Sequence, residues 1–172
     1  MILVTPLSKV EETIRSHRPS HLVTLLSPEH MIETPAGFDP ERHLRLALND
    51  VSEAWASELP PQAHHVSQLL AFGRSWDAKS PILVHCWAGI SRSMAAAFIL
   101  LCDRLGPGWE LKIADAIRTR APHAFPNPLL VSLGDTALDR GGRMVAAAIA
   151  IGRGEIVAEG RLVELPLAFE DA

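Results

Sequence analysis

Cys86 and Arg92 stand with five residues between them in the segment HCWAGISRS, residues 85–93. The preceding Pro81–Val84 is a short apolar run typical of a buried strand, and Met94–Leu101 is apolar on every side, as in a buried helix. The thiol is therefore predicted at a strand-to-helix junction. Backbone N–H groups in such a tight loop can converge on one point, and the amino end of the helix attracts negative charge. The segment predicts a site for an anion beside the cysteine sulfur.

The side chains of this loop suit a phosphate group. A helix amino end and a cationic neighbour favour the thiolate form, so Cys86 is expected to be a nucleophile that needs no separate base. Arg92 offers a planar fork of donors that matches two phosphate oxygens. Gly89 allows a close backbone approach or a positive φ, and Ser93 places a hydroxyl near the sulfur. The alternative is an ordinary buried cysteine with an incidental arginine.

With these residues in place, the segment resembles the cysteine-dependent protein tyrosine phosphatases, specifically their compact, bacterial-type tyrosine and dual-specificity members. The family signature His-Cys-x5-Arg-Ser/Thr matches residues 85–93. The resemblance implies that Cys86 attacks phosphorus, that Ser93 assists loss of the thiolate, and that His85 supports the cysteine. It also implies a set of phosphate-binding residues: Trp87, Ala88, Gly89, Ile90, Ser91 and Arg92.

Release of an alkoxide or phenoxide also requires a general acid. Leu44–Leu48 alternates like a strand and runs into an Asn-Asp pair at positions 49 and 50. Small dual-specificity phosphatases carry their acid on a similar pair, so the resemblance implies this role for Asp50. The alternative is that Asp50 is the N-cap of a short helix beginning at Val51. Two other carboxylates are less favoured as the acid: Glu53 and Asp39.

The expected reaction is hydrolysis of a phosphomonoester in two steps. Attack by Cys86 gives a cysteinyl phosphate while Asp50 protonates the leaving oxygen, and water then attacks with Asp50 as the base. Arg92 and the loop amides stabilise charge on the transferring group. Neither a metal ion nor another cofactor is expected.

Composition limits the class of protein. At 172 residues and 48% hydrophobic content the chain suits one domain, and its net charge of −4 without a basic stripe gives no support for binding nucleic acid or anionic membranes. Its longest late apolar run, Met144–Ile151, is short of the roughly 20 residues that span a bilayer, and no signal peptide pattern opens the chain. Two cysteines, one of them required as a thiol, suggest a reducing, cytoplasmic location. The sequence leaves the oligomeric state open.

Strand and helix patterns alternate along the chain. Strands are predicted at Ile2–Thr5, His21–Ser27, Leu44–Leu48 and Pro81–Val84. Helices are predicted at Pro6–Ser16, Pro61–Trp76, Met94–Leu101, Trp109–Thr119 and Asn127–Asp139, with a loop at Pro28–Arg42. This order favours an α/β fold with a central, mostly parallel sheet flanked by helices and a ligand site at the carboxyl end of a strand. The resemblance implies the same architecture, the phosphatase fold of the phosphotyrosine protein phosphatase II-like type.

The resemblance covers residues 1–140, which we predict to be the catalytic domain. Gly141-Gly142 interrupts the helical pattern, and Met144–Ile151 can resume it. Glu155–Phe169 alternates loosely enough for a strand, a wrapping tail or a dimer contact. Residues 141–172 are therefore predicted to be an extension, packed on the same domain or at a dimer contact.

The substrate is expected to be a phosphorylated protein or a small phosphomonoester. No lysine lies within the loop, unlike the phosphoinositide phosphatases, and the chain has no tyrosine to build the deep pocket of the large tyrosine-specific enzymes. A shallower, dual-specificity site is favoured. Two other functions stay open: a phosphopeptide-binding module, and a thiol redox or sulfur-transfer protein, for which Cys102 would have to approach Cys86.

Several other residues are given ordinary structural interpretations. No histidine has partners at metal-ligand spacing. These side chains are therefore expected to be polar groups on the surface: His30, His43, His64, His65 and His123. Trp87 is expected either to point outward at the pocket entrance or to pack in the core. Trp55 and Trp76 are expected in the core or at its rim.

Overall fold

A five-stranded sheet forms the centre of the protein, a computed structural model of which describes residues 1–169. The strands are β1 (Ile2–Pro6), β2 (His21–Leu26), β3 (His43–Ala47), β4 (Ile82–Cys86) and β5 (Val163–Leu165). Their spatial order is β3-β2-β4-β1-β5. The first four strands are parallel, and β5 pairs antiparallel with β1. The predicted mostly parallel sheet is confirmed.

Within residues 1–169, six helices pack on the sheet or on one another. They are α1 (Val10–His17), α2 (Ala63–Ser75), α3 (Arg92–Leu105), α4 (Glu110–Arg120), α5 (Pro128–Ala137) and α6 (Arg143–Ala150). The central one is α3, whose residues 92–102 are all buried, as its uniformly apolar sequence predicts. It packs against the sheet and against α2, α4 and α5. This burial fixes the helix whose amino end follows Cys86.

The first helix begins later than predicted. Pro6 pairs with Cys86 in the sheet, and the Leu7 amide donates to the Trp87 carbonyl at 3.1 Å. These contacts hold the backbone extended, so that only a 3-10 turn at Leu7–Lys9 precedes the first residue of α1, Val10. The end of β1 thus lies directly beside the loop that follows Cys86.

The helix beginning at Val51, considered as the alternative interpretation of Asp50, is absent. Residues 51–53 are not helical, and only a 3-10 turn at Ala54–Ala56 follows. The Asn49 side chain donates to Ser57 Oγ at 2.7 Å, and the Asn49 amide donates to the Leu59 carbonyl at 2.8 Å. These contacts close the connection between β3 and α2 as a compact loop.

The chain beyond residue 140 adds the helix α6 and the edge strand β5 to the same arrangement of helices and sheet. Gly141 and Gly142 both have positive φ, which separates α5 from α6. The buried Asp135 carboxylate accepts hydrogen bonds from the amides of Gly142 and Met144 at 2.7 and 2.8 Å, so it fixes the start of α6. A non-helical stretch, residues 152–162, then leads into β5 at the sheet edge. Residues 170–172 of the predicted extension lie outside the described residues.

No helix within residues 1–169 combines the length and the apolar character needed to cross a membrane.

Candidate active site

Cys86 is the last residue of β4, and its side chain is buried. Its Sγ lies 3.2 Å from the Oγ of Ser93, in the first turn of α3. The predicted junction between a strand and a helix is therefore confirmed. The hydroxyl of Ser93 is placed to donate a hydrogen bond to the sulfur.

The carbonyl groups of the loop between β4 and α3 are held from outside. Four of them accept hydrogen bonds from backbone amides of other segments: Trp87 from Leu7 at 3.1 Å, Ala88 from Gly160 at 2.8 Å, Ile90 from Phe125 at 3.0 Å, and Ser91 from Asn127 at 3.3 Å. The donors come from the end of β1, from the stretch before β5, and from the segment that enters α5. Three separate parts of the chain thus fix the shape of this loop.

The outward carbonyls leave the loop amides facing the other way. In a trans peptide the N–H of one residue points opposite to the C=O of the residue before it, and residues 1–169 contain no cis peptide. The amides turned this way are those of Ala88, Gly89, Ser91 and Arg92, and within residues 1–169 neither they nor the Ile90 amide have a hydrogen-bond acceptor. Unpaired converging N–H groups favour an anion. The loop thus presents unpaired amides on the side where the sequence predicts an anion.

The Arg92 guanidinium is buried and only partly satisfied. Its Nη1 donates to the Leu48 carbonyl at 2.9 Å, whereas its Nε has no hydrogen-bond acceptor among the described residues. Nε lies 3.6 Å from Asp50 Oδ2, which is an ion-pair distance but too long for a hydrogen bond. Burying a charged donor without an acceptor is costly. An oxyanion in the loop would supply the missing acceptor.

Asp50 reaches the same loop from the end of β3. Its Oδ1 accepts hydrogen bonds from Ser91 Oγ at 2.6 Å and from Asn127 Nδ2 at 2.9 Å. The carboxylate is 37% exposed, so it remains accessible to a bound molecule. The N-cap interpretation of Asp50 is wrong, because this side chain is bonded to distant residues and no helix begins at Val51.

Asn127 is the site residue that sequence analysis missed. Its Oδ1 accepts from the Leu130 amide at 3.0 Å and caps α5, while its Nδ2 donates to both Asp50 and the Val51 carbonyl. The sequence signal, an Asn before a Pro and an apolar run, indicates the helix cap. It carries no sign of the contact with Asp50.

The two other acids considered from the sequence lie elsewhere. Asp39 accepts a hydrogen bond from the Glu41 amide and caps the 3-10 turn at Pro40–Arg42. Glu53 is exposed and precedes the 3-10 turn at Ala54–Ala56. Neither contributes to the walls of the cavity at Cys86, whereas Asp50 does.

His85 is buried beneath the loop and makes two polar contacts. Its Nε2 lies 2.7 Å from Thr24 Oγ1, and its Nδ1 lies 3.4 Å from the Cys86 carbonyl. Burial lowers the pKa of His85 to about 4, so the ring is neutral at pH 7. Its position beside the carbonyl of Cys86 suits the supporting role that the resemblance implies.

The surface interpretation of the histidines is wrong for three of the five. His43, His65 and His123 are buried. His65 pairs with Gln62 in the capping box of α2, and His43 is bonded to Thr24. His64 is exposed, as expected.

A cavity of about 320 Å³ opens above the loop. Trp87 is 54% exposed, and its ring centroid lies 4.7 Å from that of His30 at an angle of 63°. Both side chains line the cavity, so the expectation that Trp87 points outward at the entrance is confirmed. Trp76 lies in the core, whereas Trp55 is 85% exposed and belongs to neither core nor rim.

Cys102 is remote from the loop. It lies nine residues beyond Ser93 in α3, which corresponds to about 14 Å along the helix axis, far beyond disulfide reach. Both cysteines are free thiols. Cys102 is fully buried, and this burial raises the pKa of its thiol. It is a core residue and not a redox partner of Cys86.

Comparison with known proteins finds a matching family model and two similar sequences. Residues 49–120 match the family model described as protein-tyrosine phosphatase. The chain is 27% identical over 123 residues to rat dual specificity protein phosphatase 15. This match covers 70% of this chain and 47% of the relative. It is 32% identical over 87 residues to the mouse protein of the same name, covering 50% of this chain and 34% of the relative. The chain thus spans less than half the length of these relatives.

Solved structures share the fold at low sequence identity. Human DUSP28 superposes with a TM-score of 0.61 at 20% identity, over 80% of this chain and 88% of that one. The human tyrosine phosphatase-like serine/threonine/tyrosine-interacting protein gives a TM-score of 0.61 at 18% identity, over 79% and 89%. The loop signature, the sheet and helix arrangement and these matches together make the chain similar to the cysteine-dependent protein tyrosine phosphatases.

Proposed function

We propose that this protein hydrolyses phosphomonoesters through a cysteinyl-phosphate intermediate. The observation that carries the proposal is the meeting of a thiol, a buried guanidinium with an unpaired N–H, and a carboxylate at one cavity. Cys86 is the nucleophile, Arg92 and the amides of residues 88–91 bind the phosphate oxygens, and Asp50 is the acid. The indole of Trp87 contributes to the entrance of the site rather than to phosphate binding.

In the first step a sulfur–phosphorus bond forms and the ester phosphorus–oxygen bond breaks. The Cys86 thiolate supplies the electron pair, and protonated Asp50 gives its proton to the departing oxygen. The hydrogen bonds from Ser91 and Asn127 hold the carboxylate beside the phosphate loop, which limits where the leaving group can accept that proton.

In the second step water displaces the thiolate. Asp50 takes a proton from the attacking water, and inorganic phosphate leaves as the sulfur–phosphorus bond breaks. The Ser93 hydroxyl, 3.2 Å from Cys86 Sγ, donates a hydrogen bond to the sulfur as negative charge returns to it. His85 keeps the Cys86 backbone in place throughout.

The substrate proposed is a phosphotyrosine or a phosphoserine/threonine side chain of a protein. The names of the rat and mouse relatives support dual specificity, and the absence of lysine in the loop disfavours multiply phosphorylated lipid headgroups. A small phosphomonoester is the alternative substrate. We further propose a reducing, cytoplasmic setting, because the reaction needs a free thiol at Cys86. Within the chain, we propose residues 1–140 as the catalytic domain and residues 141–172 as an extension of it, in which Gly160 donates to the Ala88 carbonyl.

Phosphate release from an aryl phosphate, measured across pH, tests the proposal. Cys86→Ser should abolish turnover, and Asp50→Asn should lower kcat by about 10²- to 10⁴-fold and flatten the alkaline limb of the profile. Glu53→Gln is the matched control for Asp50→Asn, because it removes a carboxylate from the same connection without touching the cavity. Its kcat should equal that of the wild type.

Two results would contradict the proposal. Turnover that survives Cys86→Ser would exclude the cysteinyl phosphate. A wild type that binds inorganic phosphate and hydrolyses neither aryl phosphate nor phosphopeptides would instead favour a phosphopeptide-binding module.

A further inference from the structure

Four side chains form a continuous polar row beneath the catalytic loop. Thr34 Oγ1 lies 3.0 Å from His43 Nδ1, His43 Nε2 lies 2.8 Å from Thr24 Oγ1, and Thr24 Oγ1 lies 2.7 Å from His85 Nε2. The row crosses β3, β2 and β4 and ends at the Cys86 carbonyl, 3.4 Å from His85 Nδ1. The proposed reaction uses only the last of these residues.

The positions of the protons along this row follow from its ends. A carbonyl oxygen can only accept, so the contact with Cys86 places the proton of His85 on Nδ1. His85 Nε2 is then an acceptor, and the Thr24 hydroxyl must donate to it. Having used its one proton, Thr24 can only accept from His43, which therefore carries its proton on Nε2. His43 Nδ1 in turn accepts from Thr34.

This order requires both imidazoles to be neutral, and their surroundings favour that state. Burial lowers the pKa of His43 and of His85 to about 4, with Arg45 adding to the effect at His43. Glu33, the acidic group that faces His43, raises its pKa by a smaller amount. At pH 7 each ring has one N–H and one bare nitrogen, as the row demands.

We propose that His43 is a positioning residue for Cys86, acting through Thr24 and His85. Its Nε2–H fixes the direction of the Thr24 hydroxyl, which in turn holds the His85 ring against the backbone of Cys86. The contact between Thr34 and His43 Nδ1 links the segment around Thr34 to the polar row beneath the catalytic loop. That segment also carries His30, which packs on Trp87 at the entrance. The inference rests on the proposed function only for its effect on turnover.

Histidine side-chain NMR reads the proton order directly. Two-bond ¹H–¹⁵N spectra of the wild type at pH 7 should show His43 protonated on Nε2 and His85 protonated on Nδ1. His85 protonated on Nε2 would overturn the proposal, because Thr24 would then accept from His85 and a bare His85 Nδ1 could not donate to the Cys86 carbonyl. This measurement needs neither a substrate nor a variant.

A pair of variants tests the consequence for the nucleophile. His43→Leu removes the donor, whereas His43→Gln keeps an amide N–H that can reach Thr24. We expect His43→Leu to move the midpoint of the pH profile for Cys86 alkylation by iodoacetamide upward by at least about half a pH unit. It should also lower kcat by about 10- to 100-fold with KM nearly unchanged. His43→Gln should restore most of the alkylation midpoint and most of kcat. His64→Leu, which replaces an exposed histidine of α2, should change neither quantity.

The outcomes separate this inference from the proposed function. Alkylation of His43→Leu with a wild-type pH profile would overturn the role of His43, even in an active enzyme. A wild type without phosphatase activity would refute the proposed function alone, since alkylation and NMR still report on the thiol and the rings. If His43→Leu does not fold, the wild-type spectra and the comparison of His43→Gln with wild type decide the question.

Discussion

Gly89→Ala is the substitution that most directly tests how the loop is built. Gly89 has a φ of +70°, and a Cβ placed on it would lie 2.7 Å from the Pro6 nitrogen and 2.9 Å from the Thr5 carbonyl carbon. Both atoms belong to the backbone of β1, which is fixed by its pairing with β4. The added methyl group therefore cannot be accommodated by a change of rotamer.

Two costs combine in this variant. A positive φ costs a non-glycine residue about 1–2 kcal/mol, and a forced contact in a packed region costs about 1–3 kcal/mol more. Replacing glycine also stiffens the unfolded chain, which offsets about 0.4–1 kcal/mol. Gly37→Ala is the matched control, because Gly37 has a φ of +79° and nothing within 4 Å of the added Cβ. Gly89→Ala should thus be more destabilising than its control by about 1–3 kcal/mol.

Urea unfolding of both variants, with inorganic phosphate titrated against each folded protein, measures the difference. Gly89→Ala should lose more free energy of unfolding than Gly37→Ala and should bind phosphate more weakly, because its amides are displaced. Equal unfolding free energies together with equal phosphate affinities would refute the conclusion that Gly89 is required by close backbone packing.

Three further predictions concern residues around the site. Because the pKa of His85 is about 4 when folded and about 6.5 when unfolded, its contribution to stability is complete above pH 6.5 and falls by roughly 3 kcal/mol toward pH 4. Urea unfolding across this range should show that loss together with the loss from His43, whose pKa is also about 4, and His85→Gln should show a shallower dependence. Asn127→Ser should keep the α5 cap and the stability of the protein but lower kcat several-fold, because it no longer reaches Asp50. Asp135→Ala should destabilise by about 1–3 kcal/mol, since the buried Met144 amide and the part-buried Gly142 amide lose their acceptor, and should hasten proteolysis between α6 and β5.

Each of these has a contradicting result. Equal slopes of stability against pH for wild type and His85→Gln would mean that His85 is not the residue that titrates. Unchanged kcat in Asn127→Ser would remove Asn127 from the positioning of Asp50. An Asp135→Ala variant as resistant to protease as the wild type would mean that α6 is held by its apolar contacts alone.

Local patterns were enough to predict most of the architecture. The four parallel strands and the buried α3 follow from apolar runs whose period and length are set by neighbouring residues. The signature loop likewise lies in nine consecutive residues, so its place between β4 and α3 could be inferred without knowing the rest of the fold.

The features that were missed depend on distant partners. A helix at Val51 was a reasonable local prediction, but the Asp50 carboxylate that would have capped it is bonded to Asn127, 77 residues away. The sequence around His43 indicates a surface residue, but in the fold its ring is buried and bonded to Thr24 of β2 and to Thr34. The sequence left Glu155–Phe169 open as a strand, a wrapping tail or a dimer contact, and pairing with the edge of β1 makes three of its residues the strand β5. Sequence periodicity carries none of these long-range contacts.

The hydrogen bond from Gly160 to Ala88 has a consequence for synthesis on the ribosome. Cys86 and Arg92 have both been synthesised once the chain is 92 residues long. The Ala88 carbonyl, however, has its hydrogen-bond donor only after Gly160 has been synthesised. The carbonyls of Ile90 and Ser91 likewise need later residues, Phe125 and Asn127, as their donors. Because a domain generally folds as a unit, a nascent chain carries the reactive pair well before its loop can be completed. The proposed phosphate binding is therefore expected only after residue 160 has left the ribosome.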